Sequence, residues 1–262
     1  MDSYDARREQ LSRPFLEAFR RLANNIQSTG TGDRVQSLTI SSAVPNEGKS
    51  ALSFYLAHAC ASLGQRTLLV DTDLRHPTLH KLCNVSNEKG LSSYIAENTF
   101  LNEILIDLPT EENFTFMPSG PAPADPTKIL SSKKMEALYQ HLYETFDIVI
   151  FDTPPLLGFT DAFMVTKQTQ GLLLSARLGQ VTFAQLEAVI DESYVAKIPT
   201  LGVVANCSDK NDDKSYRYHQ YYKDVEAEKM EEYIPYVNNT TLNGKATGKT
   251  SWQTALANML KK

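Results

Sequence analysis

Residues 35–50 read VQSLTISSAVPNEGKS, and what this stretch becomes decides the fold. Val35 to Ser41 gives a short strand, a loop of small residues runs through Gly48, and Lys49 to Leu63 has a helical pattern closed by Gly64. Strand, loop and helix in that order make a phosphate site. Within it, Ala43 to Ser50 fits G-x-x-x-x-G-K-[ST] with Ala at the first glycine. In such a loop the segment Val44, Pro45, Asn46, Glu47, Gly48, Lys49, Ser50 and Ala51 surrounds the phosphates with backbone N–H groups and a helix N-terminus. The Lys49 ammonium then spans the β and γ groups of ATP, the Ser50 hydroxyl binds Mg²⁺, and Gly48 lets the backbone come close. The competing reading is an ordinary strand-to-helix turn that contains Gly-Lys-Ser.

Outward from the loop, strands and helices alternate. An amphipathic helix, Phe15 to Ile26, precedes the first strand, with Phe15, Phe19, Leu22 and Ile26 on one face. After the phosphate loop come a strand from Thr67 to Val70 ending in Asp71, a proline-broken stretch to Leu82, and short helical segments near Leu91 and Leu101. Strand Phe114 to Met117 leads to SGPAPADP (119–126), whose prolines argue against helix. A helix from Ser132 to Thr145 then feeds the strand Ile148 to Phe151, which ends in Asp152. A helix near Asp161, strand Leu172 to Ala176, helix Thr182 to Ala196 and strand Leu201 to Ala205 complete the alternation. Continuously apolar strands separated by helices imply a doubly wound α/β fold, a mostly parallel sheet flanked by helices on both faces.

Two further segments carry acid groups to the same sheet edge. Asp152 closes the strand IVIF ahead of Thr153-Pro154-Pro155, where a carboxylate can hold the Mg²⁺ water shell. In LLVDTDLRHPTLH, Asp71 and Asp73 both end the preceding strand, with Arg75 two residues on. A simple nucleotidase does not need this extra pair. Asp71 is placed to take the proton of an attacking hydroxyl, with Asp73 and Arg75 positioning metal or phosphate. For Arg75 a salt bridge to Asp71 or Asp73 stands as the alternative to phosphate contact.

Composition narrows the remaining classes. The chain has 262 residues and a formal net charge of −5, so no overall attraction draws it to a nucleic-acid backbone. Three dispersed cysteines without metal spacing fit a reducing compartment, and no apolar run approaches the length of a membrane span. Six of the 12 tyrosines, Tyr216, Tyr218, Tyr221, Tyr222, Tyr233 and Tyr236, lie in one polar segment after Cys207. Read alone they form an aromatic contact surface, but beside an ATP site with a spare acidic pair they read as phosphoacceptors. The chain thus divides into an N-terminal helical segment (1–33), a nucleotide-binding domain (34–207) and a flexible tyrosine-rich tail (208–262).

Taken in order, SSAVPNEGKS, LLVDTDLRHP, MPSGPAPADPTKILSS, IVIFDTPPLLGFTDA and the tyrosine cluster resemble the bacterial tyrosine kinases (BY-kinases) of capsule and exopolysaccharide co-polymerase systems. Their fold is a P-loop NTPase of the MinD and ParA kind. The resemblance implies an autokinase with Lys49, Ser50, Asp71, Asp73 and Asp152 at its ATP·Mg²⁺ site, of which Ser50, Asp71 and Asp152 serve the metal. It also implies phosphorylation of the cluster on a neighbouring subunit of a ring, control of polysaccharide polymerisation and export, and a cognate tyrosine phosphatase. The resemblance further implies an activator at the inner face of the plasma membrane, so the chain is expected to be a stand-alone cytoplasmic subunit or an excised domain. The family's oligomerisation pattern E-x-x-R-x-x-R is matched by Glu17 and Arg20 with Ala23 in third place, and Asn46 stands where the family usually has Gly. Asn206 matches a position resembling the adenine-binding Asn of related ATPases, with a turn-forming Asn as the alternative.

Two other functions remain to be set against this one. Partitioning and cell-division ATPases resemble one another in a lysine where this chain has Val44, and they lack the tyrosine-rich tail. A nucleotide-gated oligomeric scaffold would have little use for Lys49, both extra acids and the acceptors.

Overall fold

The computed structural model describes residues 13–28, 34–97, 99–109 and 112–206. A seven-stranded sheet forms the centre, in the order β3-β4-β2-β5-β1-β6-β7. Its strands are β1 (Ser37–Ser42), β2 (Thr67–Asp71), β3 (Ile106–Asp107), β4 (Phe114–Met117), β5 (Ile148–Asp152), β6 (Leu172–Arg177) and β7 (Thr200–Asn206). All neighbours are parallel except β3 and β4. The helices are α1 (Arg13–Ser28), α2 (Lys49–Ser62), α3 (Leu79–Cys83), α4 (Leu91–Ala96), α5 (Pro126–Leu130), α6 (Lys133–Thr145), α7 (Asp161–Thr166) and α8 (Phe183–Val195).

Burial explains why β2 and β5 are apolar between Thr67 and Asp71 and from Ile148 to Phe151, while β1, SLTISS, is as fully buried although four of its six residues are hydroxylated. Successive side chains of a strand face opposite sides of a sheet, so both faces must be covered if both are apolar. Leu69 of β2 with Ile148 and Ile150 of β5 join one core cluster, shared with α1 and α2, whereas Leu68, Val70, Val149 and Phe151 join the other, shared with α6.

Helix α1 docks its apolar stripe on α2. The Phe15 and Tyr55 rings meet edge-on with centroids 5.0 Å apart, and Ala23 and Ile26 are buried in the shared core. The stripe also accounts for Ala23: the position lies on the buried face, only 2% exposed, while Glu17 faces solvent and pairs weakly with Arg20 and Arg21.

The structure departs from the sequence reading in four short places. The proline-broken stretch contains α3, which starts two residues after Pro77 and stops at Asn84 in the left-handed region, φ 56°. SGPAPADP ends by starting α5, because a proline at the first helical position loses no hydrogen bond and the Asp125 side chain accepts from Lys128 N. The segment near Leu101 is a single 3₁₀ turn, Leu101–Glu103. The two-residue antiparallel β3 is too short to leave a periodic signal.

Candidate active site

The connection from β1 to α2 is a backbone cradle. Asn46 has φ 66° and Gly48 φ 81°, both left-handed. Asparagine tolerates that region better than other side-chain-bearing residues, which explains why it stands in for glycine at position 46. Gly48 has no such latitude, since an added Cβ would lie 2.2 Å from Asn206 Nδ2. Glu47 locks the loop from beneath. Its fully buried carboxylate accepts from Val44 N at 2.8 Å and from Arg177 N at 3.1 Å. Its carbonyl accepts from Ser175 Oγ at 2.6 Å and Asn206 Nδ2 at 3.4 Å. Burial raises the Glu47 pKa, and the N–H groups of Val44, Arg177 and Ala43 hold that rise in check.

On the other side of the loop the groups are charged. β2 and β5 run in register so that Asp71 lies directly beside Asp152. Lys49 Nζ donates to Asp73 Oδ2 at 2.9 Å and to Ser50 Oγ at 3.3 Å. Asp71 is held by Leu79 N and Asp73 N, each at 3.2 Å. Ser53, one turn along α2, donates to Asp152 Oδ1 at 2.9 Å, and Thr72 Oγ1 donates to the Asp152 carbonyl at 2.6 Å.

Burial is the largest influence on this group. It raises the Asp71 pKa well above the usual carboxylate range, and the neighbouring Asp152 and Asp73 charges push it further. Asp152 is raised by burial too, although the Lys49 charge and the Ser50 and Ser53 hydroxyls pull it back. Burial draws the Lys49 pKa down, but the charges of Asp152 and Asp73 outweigh it, so the ammonium is held more firmly than in water. The cluster therefore contains a carboxylate made basic by burial beside a fixed cation. Such a pair suits moving a proton and neutralising phosphate charge.

A divalent cation fits this edge. Asp152 Oδ2 is buried and has no hydrogen-bond partner among the described residues. No three His, Cys, Asp or Glu side chains among those residues converge into an all-protein cage. Mg²⁺ does not require one, because it binds through one or two carboxylates and completes its shell with phosphates and water.

The structure therefore gathers Lys49, Ser50, Asp71, Asp73 and Asp152 at one edge and sets Asn206 against Gly48. Arg75 turns instead to a residue the site reading did not include: its Nε donates to Asp161 Oδ2 at 2.6 Å, not to Asp71 or Asp73. Ser53 was also missed, although its spacing of three residues from Ser50 puts both on one helix face. The six tail tyrosines lie outside the described residues. No described helix is long and apolar enough to cross a membrane.

A left-handed glycine loop between strand and helix, a buried lysine and acids on the next two strands define a P-loop nucleotide-binding domain. The AAA domain profile matches residues 40–187. Tyrosine-protein kinase YwqD of Bacillus subtilis is 31% identical over 203 residues, covering 78% of this chain and 85% of that protein. Tyrosine-protein kinase etk of Escherichia coli is also 31% identical over 203 residues, but the match covers 28% of that longer protein. Among solved structures, the Etk kinase domain aligns with TM-score 0.71 and 31% identity, covering 76% of this chain and 77% of that one. The chimerical protein CapA2B2 aligns with TM-score 0.73 and 30% identity, covering 79% and 90%. Pyrococcus horikoshii MinD, at 20% identity and TM-score 0.57, shares the fold. The chain belongs to the family of bacterial tyrosine-protein kinases.

Proposed function

We propose that the chain is a protein-tyrosine autokinase that transfers the ATP γ-phosphoryl group to Tyr216, Tyr218, Tyr221, Tyr222, Tyr233 and Tyr236 of a neighbouring subunit. The observation that carries this reading is Asp71, buried and made basic, in register with Asp152 and next to the Lys49–Asp73 pair. A phenol has a pKa near ~10, so an acceptor for its proton is useful, whereas a plain ATPase already has water to spare. Asp71 takes the phenolic proton as the new O–P bond forms. Lys49 and the loop amides of residues 44–51 bear the charge left on ADP as the old O–P bond breaks. Ser50, Asp71 and Asp152 would hold Mg²⁺, which when bound neutralises the phosphate oxygens. Asn206, at the end of β7 and against the loop, is offered to the adenine.

Family membership and the fit to the Etk kinase domain and the CapA2B2 chimera support the wider setting. In it the kinase forms a ring-like homo-oligomer through α1, with Glu17 and Arg20 exposed for the purpose. It is stimulated by a membrane-embedded co-polymerase segment at the inner face of the plasma membrane, is reset by a tyrosine phosphatase, and regulates exopolysaccharide polymerisation and export. Nucleic acid has no part in it.

Mass-spectrometric mapping of phosphotyrosine after incubation with Mg²⁺·ATP and the activating segment tests the reading against Lys49→Met and Asp71→Asn. Modified tail tyrosines in the wild type and none in either variant are expected. Phosphate release with unmodified tyrosines would move the protein to the scaffold or partitioning-ATPase class.

A further inference from the structure

The active edge of the sheet has a direction. Ser175 and Asn206 lie towards the β6 and β7 end on one side of the phosphate loop, and Asp152, Asp71 and Asp73 lie towards β5 and β2 on the other. A nucleotide with its base towards Asn206 points its terminal phosphate at β5 and β2. The acceptor must then approach from farther along, where β2 meets β4.

A cluster with no part in the site described above joins the chain just past Asp71 and Asp73 to the chain past Asp152. Arg75 Nε donates to Asp161 Oδ2 at 2.6 Å and Nη2 to Oδ1 at 3.4 Å. Thr127 Oγ1 donates to the same Oδ1 at 3.2 Å. The guanidinium carbon lies 5.0 Å from the Phe159 ring centroid. These residues follow β2, β4 and β5, so the cluster ties together the segments that leave three strands of the active edge. Asp161 is buried, with its side chain 1% exposed, whereas the Arg75 side chain is 35% exposed. Burying a carboxylate is costly unless it is paired, so the arrangement spends Asp161 on fixing a cation whose outer edge reaches solvent. A planar guanidinium held along one edge and over a ring keeps its remaining N–H groups pre-oriented, as a lysine would not. Asp73 and Asp125 also act on Arg75, but Asp73 is paired with Lys49 and Asp125 is a solvated helix cap.

We propose that Arg75, fixed by Asp161 and Thr127, forms a selective lip that engages a carboxylate of the acceptor segment, so that tyrosines flanked by acidic residues are preferred. This rests on the kinase reading and names its substrate class. The chain's own acceptors have the matching chemistry: Asp224, Glu226, Glu228, Glu231 and Glu232 lie between Tyr222 and Tyr233. Asp161 is then a positioning residue, acting through Arg75.

The full chain with saturating Mg²⁺·ATP and the activating segment would be assayed on two synthetic tyrosine peptides that differ only in having glutamates or glutamines beside the tyrosine. One charge-assisted contact predicts a KM about tenfold lower for the glutamate peptide. Arg75→Gln and Asp161→Asn should each shrink that ratio to about twofold, while Arg75→Lys keeps part of it. Comparing two peptides on one variant cancels any general loss of activity, and the partly exposed Arg75 keeps the test open if Asp161→Asn does not fold. Equal KM values in the wild type, or a preference that survives Arg75→Gln, would overturn the lip while leaving the kinase intact. Failure of the wild type to phosphorylate either peptide or its own tail would instead sink the kinase reading, and the lip with it.

Discussion

The two flanks of the phosphate loop are built on opposite plans. Towards β6 and β7, Glu47 satisfies its carboxylate with backbone N–H groups and its carbonyl with Ser175 and Asn206, so the cradle is complete as it stands. Towards β5 and β2, three carboxylates crowd one lysine, and Asp152 Oδ2 lacks a hydrogen-bond partner among the described residues. The first flank is held in shape by hydrogen bonds from within the protein and needs no ligand. The second keeps electrostatic energy that a cation would relieve. Shape and reactivity are thereby assigned to different strands, and substitutions on the two flanks should fail in different ways.

The largest effect is expected from removing the cation of the charged flank. Lys49→Met should slow tyrosine phosphorylation by about 10³-fold, read as phosphotyrosine formed per minute, because the lysine bears charge that develops in transfer. Gly48→Ala attacks the cradle flank instead. Its Cβ would meet Asn206 Nδ2 at 2.2 Å on a backbone with φ 81°, so nucleotide Kd should rise by about 10- to 100-fold and folding stability fall by about 2 kcal/mol, by titration calorimetry and denaturant unfolding.

A pH series separates the flanks more finely. The native pKa of Asp71 lies above its unfolded value, so the native state keeps the proton longer and, without ligand, stability falls as pH rises from about 4 towards that native pKa. A cation must displace this proton, so Mg²⁺ should bind several-fold more tightly as pH rises through the native pKa. Asp71→Asn should flatten both the melting-temperature and the Mg²⁺ profiles. The smallest effect belongs to Asn46, where Ala in a left-handed position should cost about 1 kcal/mol in chemical unfolding and Gly next to nothing.

These flanks were unequally legible in the sequence. The loop and the strand-end acids were readable because their chemistry depends on local order: an apolar run, then Gly-Lys-Ser or Asp, fixes both the element and the edge where the side chain emerges. The sheet was readable because β2, β4 and β5 are buried at every position and so carry mostly apolar residues, Leu68 to Val70, Phe114, Phe116 and Met117, and Ile148 to Phe151. The Arg75–Asp161 pair was not, since its partners stand 86 residues apart and meet only after β2 and β5 pair. Glu47 was placed in the loop, yet its inward turn depends on Arg177 and Ser175 of β6, which no local pattern joins to it. The position of Ala23 became interpretable only once α1 was seen to press it against α2.

The division of labour between the flanks is tested most directly by one variant measured two ways. For Asp71→Asn, the affinity for ATP without Mg²⁺ would be determined by calorimetry, and transfer to the tail tyrosines with Mg²⁺ by quantitative mass spectrometry, on the same preparation. The account predicts a Kd within about fivefold of the wild type and transfer reduced by about 10²- to 10³-fold, because the cradle is intact and the proton acceptor is gone. Transfer retained at near wild-type rate, or affinity lost in step with transfer, would contradict it.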